Sequence, residues 1–162
     1  MTPEYRELRI NCSLKYLEEV FELAVKHRAT EAYIRSLYED AEGIGGIDYT
    51  RVLTNRPSDP GKLPDSVAHL VEMKERAETE AAEYFDRKDE ARRLLDEMGG
   101  VRSRLLLLRF ASAMPWVCVA EALNYREDYC RAMRNDALCD FYDYLPREYK
   151  VGSTHAILDA DF

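Results

Sequence analysis

The sequence predicts an all-α protein in which a long antiparallel, coiled-coil-like helical arm is joined to a C-terminal helix-turn-helix domain. Two observations carry this prediction. Residues 65–98 contain no glycine or proline and repeat apolar side chains at helical spacing. Residues 101–146 then show two short helical patterns and a longer third one, which is the plan of a helix-turn-helix.

The N-terminal arm, residues 1–40, has an apolar stripe on one helix face. Leu14, Leu17, Phe21 and Ala24 repeat at three and four residues, and a similar stripe resumes at Ile34 after a polar gap. This pattern predicts one long or broken amphipathic helix. Residues 41–64 hold four of the seven glycines and three of the six prolines, which indicates a connector with little regular structure.

The long helix over residues 65–98 is the expected antiparallel partner of the arm. Asp65 or Ser66 can cap its start. Lys74 and Lys88 interrupt an otherwise apolar row, so the predicted seam is of moderate quality. The positions that form the seam are Leu70, Ala77, Ala81, Tyr84, Ala91, Leu95 and Met98.

The module over residues 101–146 follows the Gly99-Gly100 pair, which ends the long helix. Its first segment, "VRSRLLLLRF", fits a buried strand or a buried helix. Pro115 suits the first position of the next helix, and we expect Trp116 in a small core. "NYR" turns the chain into a final helix whose inner stripe is Cys130, Met133, Ala137, Leu138 and Phe141. The tail, residues 147–162, gives no clear signal.

Charge is distributed unevenly along a chain whose formal net charge is −8. Residues 65–98 carry eleven acidic and six basic side chains, whereas residues 101–146 carry six of each. DNA-binding domains usually have a basic surface. Of these two regions, the neutral one over residues 101–146 is therefore better suited to bind phosphate than the acidic one over residues 65–98.

Enzymes, metal sites and membrane spans are not indicated. The sequence has no Gly-rich phosphate loop, no His-Glu-x-x-His motif and no nucleophile elbow, so we expect no catalytic residues and no cofactor. The four cysteines include no C-x-x-C pair, so no metal site is expected. No apolar run reaches the length of a membrane-spanning helix, and we expect a cytoplasmic protein.

The segment "LLLLRFASAMPWVCVAEALNY" resembles the C-terminal module of phage proteins related to sigma factor region 4, which include small late-gene and packaging-linked activators. The matching positions are Leu106, Leu108, Arg109, Phe110, Trp116, Val119, Ala120, Leu123, Asn124, Tyr125, Ala137 and Leu138. The resemblance implies a transcription regulator in a bacterial host cell that contacts duplex DNA, RNA polymerase or both, with a possible homodimer through the arm. Its candidate DNA-binding residues here are Arg109, Arg126, Tyr129, Arg131 and Arg134.

A second function stays open, because the sequence departs from that family where DNA would be read. Glu127 and Asp128 occupy the start of the reading helix, and carboxylates repel phosphate. The alternative is an acidic protein that binds and inhibits a host nuclease complex of the kind used in defence, in the manner of an anti-CRISPR protein. Its candidate partner-binding residues are Glu75, Glu78, Glu83 and Asp86.

Overall fold

The computed structural model describes residues 1–43 and 65–150, and all regular secondary structure within those ranges is helical. The long helices are α1 (Pro3–Gly43) and α2 (Asp65–Met98). Three shorter helices follow: α3 (Gly100–Leu106), α4 (Trp116–Leu123) and α5 (Glu127–Phe141). A π-helical turn, Leu107–Ala111, continues α3, and a 3-10 turn, Tyr142–Tyr144, continues α5. The predicted all-α fold of a helical arm and a helical domain is confirmed.

Helix α1 begins with local capping that its sequence provides. The Thr2 hydroxyl oxygen accepts a hydrogen bond from the Tyr5 N–H at 3.3 Å, and Pro3 stands at the first helical position, where its missing N–H is not needed. The helix then continues without a break through the polar stretch near His27. It includes residues 41–43 of the predicted connector, and the rest of that connector, residues 44–64, lies outside the described residues.

Helix α2 has the bounds that the sequence predicts, and four of its seven seam positions are buried while Ala77, Ala81 and Met98 are partly buried. Leu70, Tyr84, Ala91 and Leu95 are buried, whereas Lys74 is exposed. The helix ends because Gly99 and Gly100 both have positive φ angles, 67° and 79°, which a side chain would strain.

The chain divides into two compact units, and the division falls inside both long helices. The unit of Val25–Tyr84 contains residues 25–43 of α1 and residues 65–84 of α2. In it the Thr30 hydroxyl donates to Glu80 Oε2 at 2.7 Å, and the His27 and Tyr84 ring centroids are 5.3 Å apart. Later residues of α1 thus contact earlier residues of α2, so the pairing within this unit is antiparallel.

The other unit combines residues 1–24 with residues 85–162, of which the structure describes those up to 150. The Tyr16 hydroxyl donates to Glu90 Oε1 at 2.9 Å, and Arg87 Nη2 donates to Glu19 Oε2 at 3.0 Å. The core of this unit therefore draws on both long helices as well as on the C-terminal module. Its fully buried large side chains include Tyr16, Leu17, Val20, Leu95, Leu105, Leu106, Val119, Leu138 and Phe141.

The C-terminal module consists of α3, α4 and α5, and the segment that fitted either a strand or a helix is helical. All five residues of the predicted inner stripe of α5 are buried. Pro115 is the N-cap residue of α4, whereas the sequence predicted it as the first residue of that helix. At the other end of α5, Arg9 of α1 donates to the Cys139 carbonyl at 2.8 Å and to Asp143 at 2.6 Å, which holds α1 against the module.

Candidate nucleic-acid interface

The turn between α4 and α5 sets the direction of α5. Asn124 ends α4 in the left-handed conformation, with φ 59° and ψ 43°, and asparagine tolerates this conformation better than most residues. The Tyr125 N–H donates to the Ala120 carbonyl at 3.0 Å and closes the turn. As a result α5 begins at Glu127 with its first turn open to solvent, where Asp128 and Tyr129 are both exposed.

Arginines from two elements meet around the Trp116 ring. The Cζ atom of Arg109, in the π-helical turn, lies 5.2 Å from the centroid of this ring, and the Cζ atom of Arg131, in α5, lies 5.4 Å from it. Both distances are within the range of cation–π attraction. Trp116 packs against the core as expected but is only partly buried, because one part of its surface supports these two guanidinium groups.

Arg134 completes what we call the arginine cluster, defined as Arg109, Arg131 and Arg134. Burial lowers the pKa of Arg109, and the positive charges of Arg131 and Arg134 lower it further. Within residues 1–43 and 65–150, neither Arg109 nor Arg134 forms an ion pair, and the Nε atom of Arg134 is buried without a hydrogen-bond partner. The cluster is thus a local concentration of positive charge in an acidic chain.

Arg109 has a fixed position in the cluster. Its Nη1 atom donates to the Met114 carbonyl at 2.9 Å, and its Cζ atom lies 5.1 Å from the centroid of the Phe21 ring. The π-helical turn supports this arrangement: the Ser112 N–H donates to the Leu107 carbonyl at 3.0 Å, five residues back, and the helix ends there.

Arg131 is the member of the cluster that has a carboxylate partner. Its Nε and Nη2 atoms donate to the same oxygen, Oε1 of Glu127, at 2.9 and 2.6 Å. One turn of helix separates the two residues, so α5 itself holds the pair together. The pair is accessible, since 56% of the Arg131 side chain and 38% of the Glu127 side chain are exposed.

The two remaining candidate DNA-binding residues lie beside the turn, and no contact links them to the arginine cluster in the described part of the chain. Arg126 Nε is 3.4 Å from Asp128 Oδ1, and its side chain is 87% exposed. Tyr129 is 53% exposed and its ring centroid lies 5.2 Å from that of Tyr125. The structure therefore brings together three of the five predicted residues and leaves Arg126 and Tyr129 on the open surface.

The candidate partner-binding acids are all exposed on α2. Glu75, Glu78 and Glu83 belong to the unit of Val25–Tyr84, and Asp86 belongs to the other unit. Each lies on the solvent side of its own unit.

Sequence reasoning missed the part that Trp116 plays. Its apolar spacing indicated a core residue, and nothing in the spacing of Arg109 and Arg131, which are 22 positions apart, indicated that both would contact one ring. Helix α4 also begins without a side-chain cap, since Pro115 offers none. The first N–H groups of α4 therefore have no side-chain acceptor at the cap position.

The residues that the structure describes include neither a group of possible metal ligands nor a helix that could span a membrane. No group of three histidine, cysteine or carboxylate side chains among them could hold a metal ion. None of the helices in those ranges is long and apolar enough to cross a membrane. Comparison of the chain with protein-family models, curated proteins and solved structures gives no match.

Proposed function

We propose that this protein regulates transcription and that its helix-turn-helix module contacts duplex DNA through the arginine cluster. One observation carries the proposal. The guanidinium groups of Arg109 and Arg131 both lie over the Trp116 ring, and the charge of Arg134 acts on Arg109. Of these three arginines, only Arg131 has a carboxylate partner among the described residues.

Electrostatics explain why such a cluster favours a polyanion. Like charges held close together repel, and the repulsion is relieved when an anion binds between them. Arginine suits phosphate because its planar fork can donate two parallel hydrogen bonds. The net charge of −8 is no obstacle to this local contact, since the positive and negative side chains of residues 101–146 balance.

The arrangement of helices supports the same function. In a helix-turn-helix the second helix enters the major groove with its N-terminal residues toward the bases, while the helix before it lies across the backbone. Here α5 would be the reading helix, with Arg126 just before it and Tyr129 and Arg131 in its accessible first two turns. The uncapped start of α4, together with Arg109 and Arg134, would then meet phosphate groups.

The resemblance to proteins related to sigma factor region 4 extends the proposal to the transcription machinery. In this account the module acts at a promoter in a bacterial host cell and contacts DNA, RNA polymerase or both. The helical arm would then serve to position the module, either alone or paired with a second copy.

The test compares two triple variants that carry the same change of charge. In the first, Arg109, Arg131 and Arg134 are replaced by glutamine. In the control, the exposed arginines Arg92, Arg93 and Arg104 are replaced by glutamine. We expect the first variant to lose binding to labelled duplex and the control to keep most of it. Equal losses in two variants that both keep the wild-type helical circular dichroism would overturn the assignment of the cluster.

The acidic inhibitor is a second candidate, favoured by the exposure of its four predicted acids. Replacing Glu75, Glu78, Glu83 and Asp86 by lysine would then abolish retention of a host protein from nuclease-treated lysate, and the glutamine variant of the arginine cluster would retain it. Under the regulator proposal, duplex binding depends on the arginine cluster, and the lysine variant binds duplex at least as tightly as the unmodified protein.

A further inference from the structure

We propose that Glu127 and Arg131 act as one unit that recognises a G·C base pair in the major groove. This inference rests on the proposed function and names the base pair that the reading helix selects. Two hydrogen bonds join these side chains, and both run from Arg131 to Glu127.

Both hydrogen bonds use one edge of the guanidinium and one oxygen of the carboxylate. Nε and Nη2 of Arg131 donate to Oε1 of Glu127. The other edge of the guanidinium, formed by Nη1 and the second N–H of Nη2, has no partner among the described residues, and the same is true of Glu127 Oε2. The pair thus offers two donors and one acceptor to a ligand.

This pattern is complementary to the major-groove edge of a G·C pair. Guanine presents the acceptors N7 and O6 there, and the cytosine N4 amino group donates. The free guanidinium edge would donate to N7 and O6, and Oε2 would accept from N4. An A·T pair presents an acceptor, a donor and a second acceptor, so the guanidinium would face the adenine amino group and the carboxylate would face thymine O4.

The position of the pair also fits this role. Glu127 and Arg131 lie in the first two turns of α5, where reading helices contact base edges. The Arg131 guanidinium packs on the Trp116 ring, and its hydrogen bonds to Glu127 fix its orientation. Little side-chain conformational entropy therefore remains to be lost on binding. Arg109 cannot take this role, because its side chain already donates to the Met114 carbonyl.

The experiment selects bound duplexes from a pool with a randomised central segment, using the unmodified full-length chain. We expect G·C to be enriched at one position and to be preferred over A·T there by about tenfold or more. Replacing that guanine by 7-deazaguanine, which lacks the N7 acceptor, should weaken binding by a similar factor.

Two substitutions separate base reading from simple charge attraction. Arg131→Lys keeps the positive charge but has no fork, so it should lose the G·C preference while the salt dependence of binding stays the same. Glu127→Gln removes a negative charge, so it should bind all duplexes more tightly but discriminate less. Asp128→Asn is the matched control, since Asp128 is the neighbouring acid and pairs with Arg126; its G·C preference should not change.

The outcomes distinguish the inference from the function on which it rests. Duplex binding without a base preference at any position, or a preference that persists in Arg131→Lys, would overturn the reading of G·C and leave the DNA-binding proposal standing. Failure of the unmodified protein to bind any member of the pool would overturn both.

Discussion

The Arg131 guanidinium lies over the Trp116 ring, with 5.4 Å between its Cζ atom and the ring centroid. This contact links α4 to α5 through two side chains that are both accessible to solvent in part. Because Arg109 contacts the same ring, Trp116 holds two like charges close together in a defined arrangement. The contact therefore ties the stability of the module to the surface that we propose binds DNA.

Replacing Trp116 by alanine should destabilise the protein by about 2–3 kcal/mol, which is less than the full cost of emptying a buried tryptophan site, because the ring is only partly buried. Trp116→Phe keeps an aromatic face and should lose about half as much. Urea unfolding followed by circular dichroism measures both. A loss below 1 kcal/mol for the alanine variant, on the order of a surface substitution, would contradict the packing described here.

The left-handed Asn124 makes the turn before α5 sensitive to substitution. Alanine there should cost about 1 kcal/mol, because its side chain disfavours φ 59°, whereas glycine should be nearly neutral. Thermal unfolding of the two variants tests this directly. Equal stability of the alanine and glycine variants would show that the turn relaxes to another conformation.

Glu80 should make the unit of Val25–Tyr84 sensitive to acid. The hydrogen bond from Thr30 lowers the pKa of Glu80, and the charge of Lys26 and hydrogen bonds from Lys26 and Arg76 lower it further, against the opposing effect of burial. A carboxyl whose pKa is lower in the folded state adds stability above its unfolded pKa, about 4.3, and this stability is lost as the pH falls through the folded value. Glu80→Gln should therefore cost about 1 kcal/mol at neutral pH.

The pH dependence of that difference is the diagnostic measurement. The free energies of unfolding of wild type and Glu80→Gln should converge as the pH falls below about 4.3. Glu72→Gln is the control, since Glu72 is exposed and lies on the same helix. A difference between wild type and Glu80→Gln that is constant with pH would exclude the lowered pKa as its cause.

Much of the fold could be predicted because it depends on local patterns. The heptad of α2 and the glycine pair that ends it gave the correct bounds, since helical period and left-handed backbone are properties of short segments. The division of the chain into units could not be predicted in this way. It depends on Tyr16 and Leu95 entering the core beside the C-terminal module, and such long-range packing has no signature in local spacing.

The sequence indicated which residues form the candidate site but not how they are arranged in space. The resemblance indicated the arginines, but their grouping depends on the tertiary path of the π-helical turn. The departure from the resembled family indicated Glu127 and Asp128 as carboxylates that would repel phosphate, and this expectation stays a prediction. The structure adds that Glu127 accepts two hydrogen bonds from Arg131, a relationship that the four-residue spacing permits and does not require.

The salt dependence of duplex binding shows whether the arginine cluster contacts phosphate groups. The logarithm of the binding constant falls linearly with the logarithm of salt concentration, by about 0.9 for each phosphate contact that a protein makes. We expect a measurable slope for the unmodified protein, reduced by about two to three when Arg109, Arg131 and Arg134 are replaced by glutamine. The absence of duplex binding by the unmodified protein at low ionic strength, or an unchanged slope in the glutamine variant, would contradict the account.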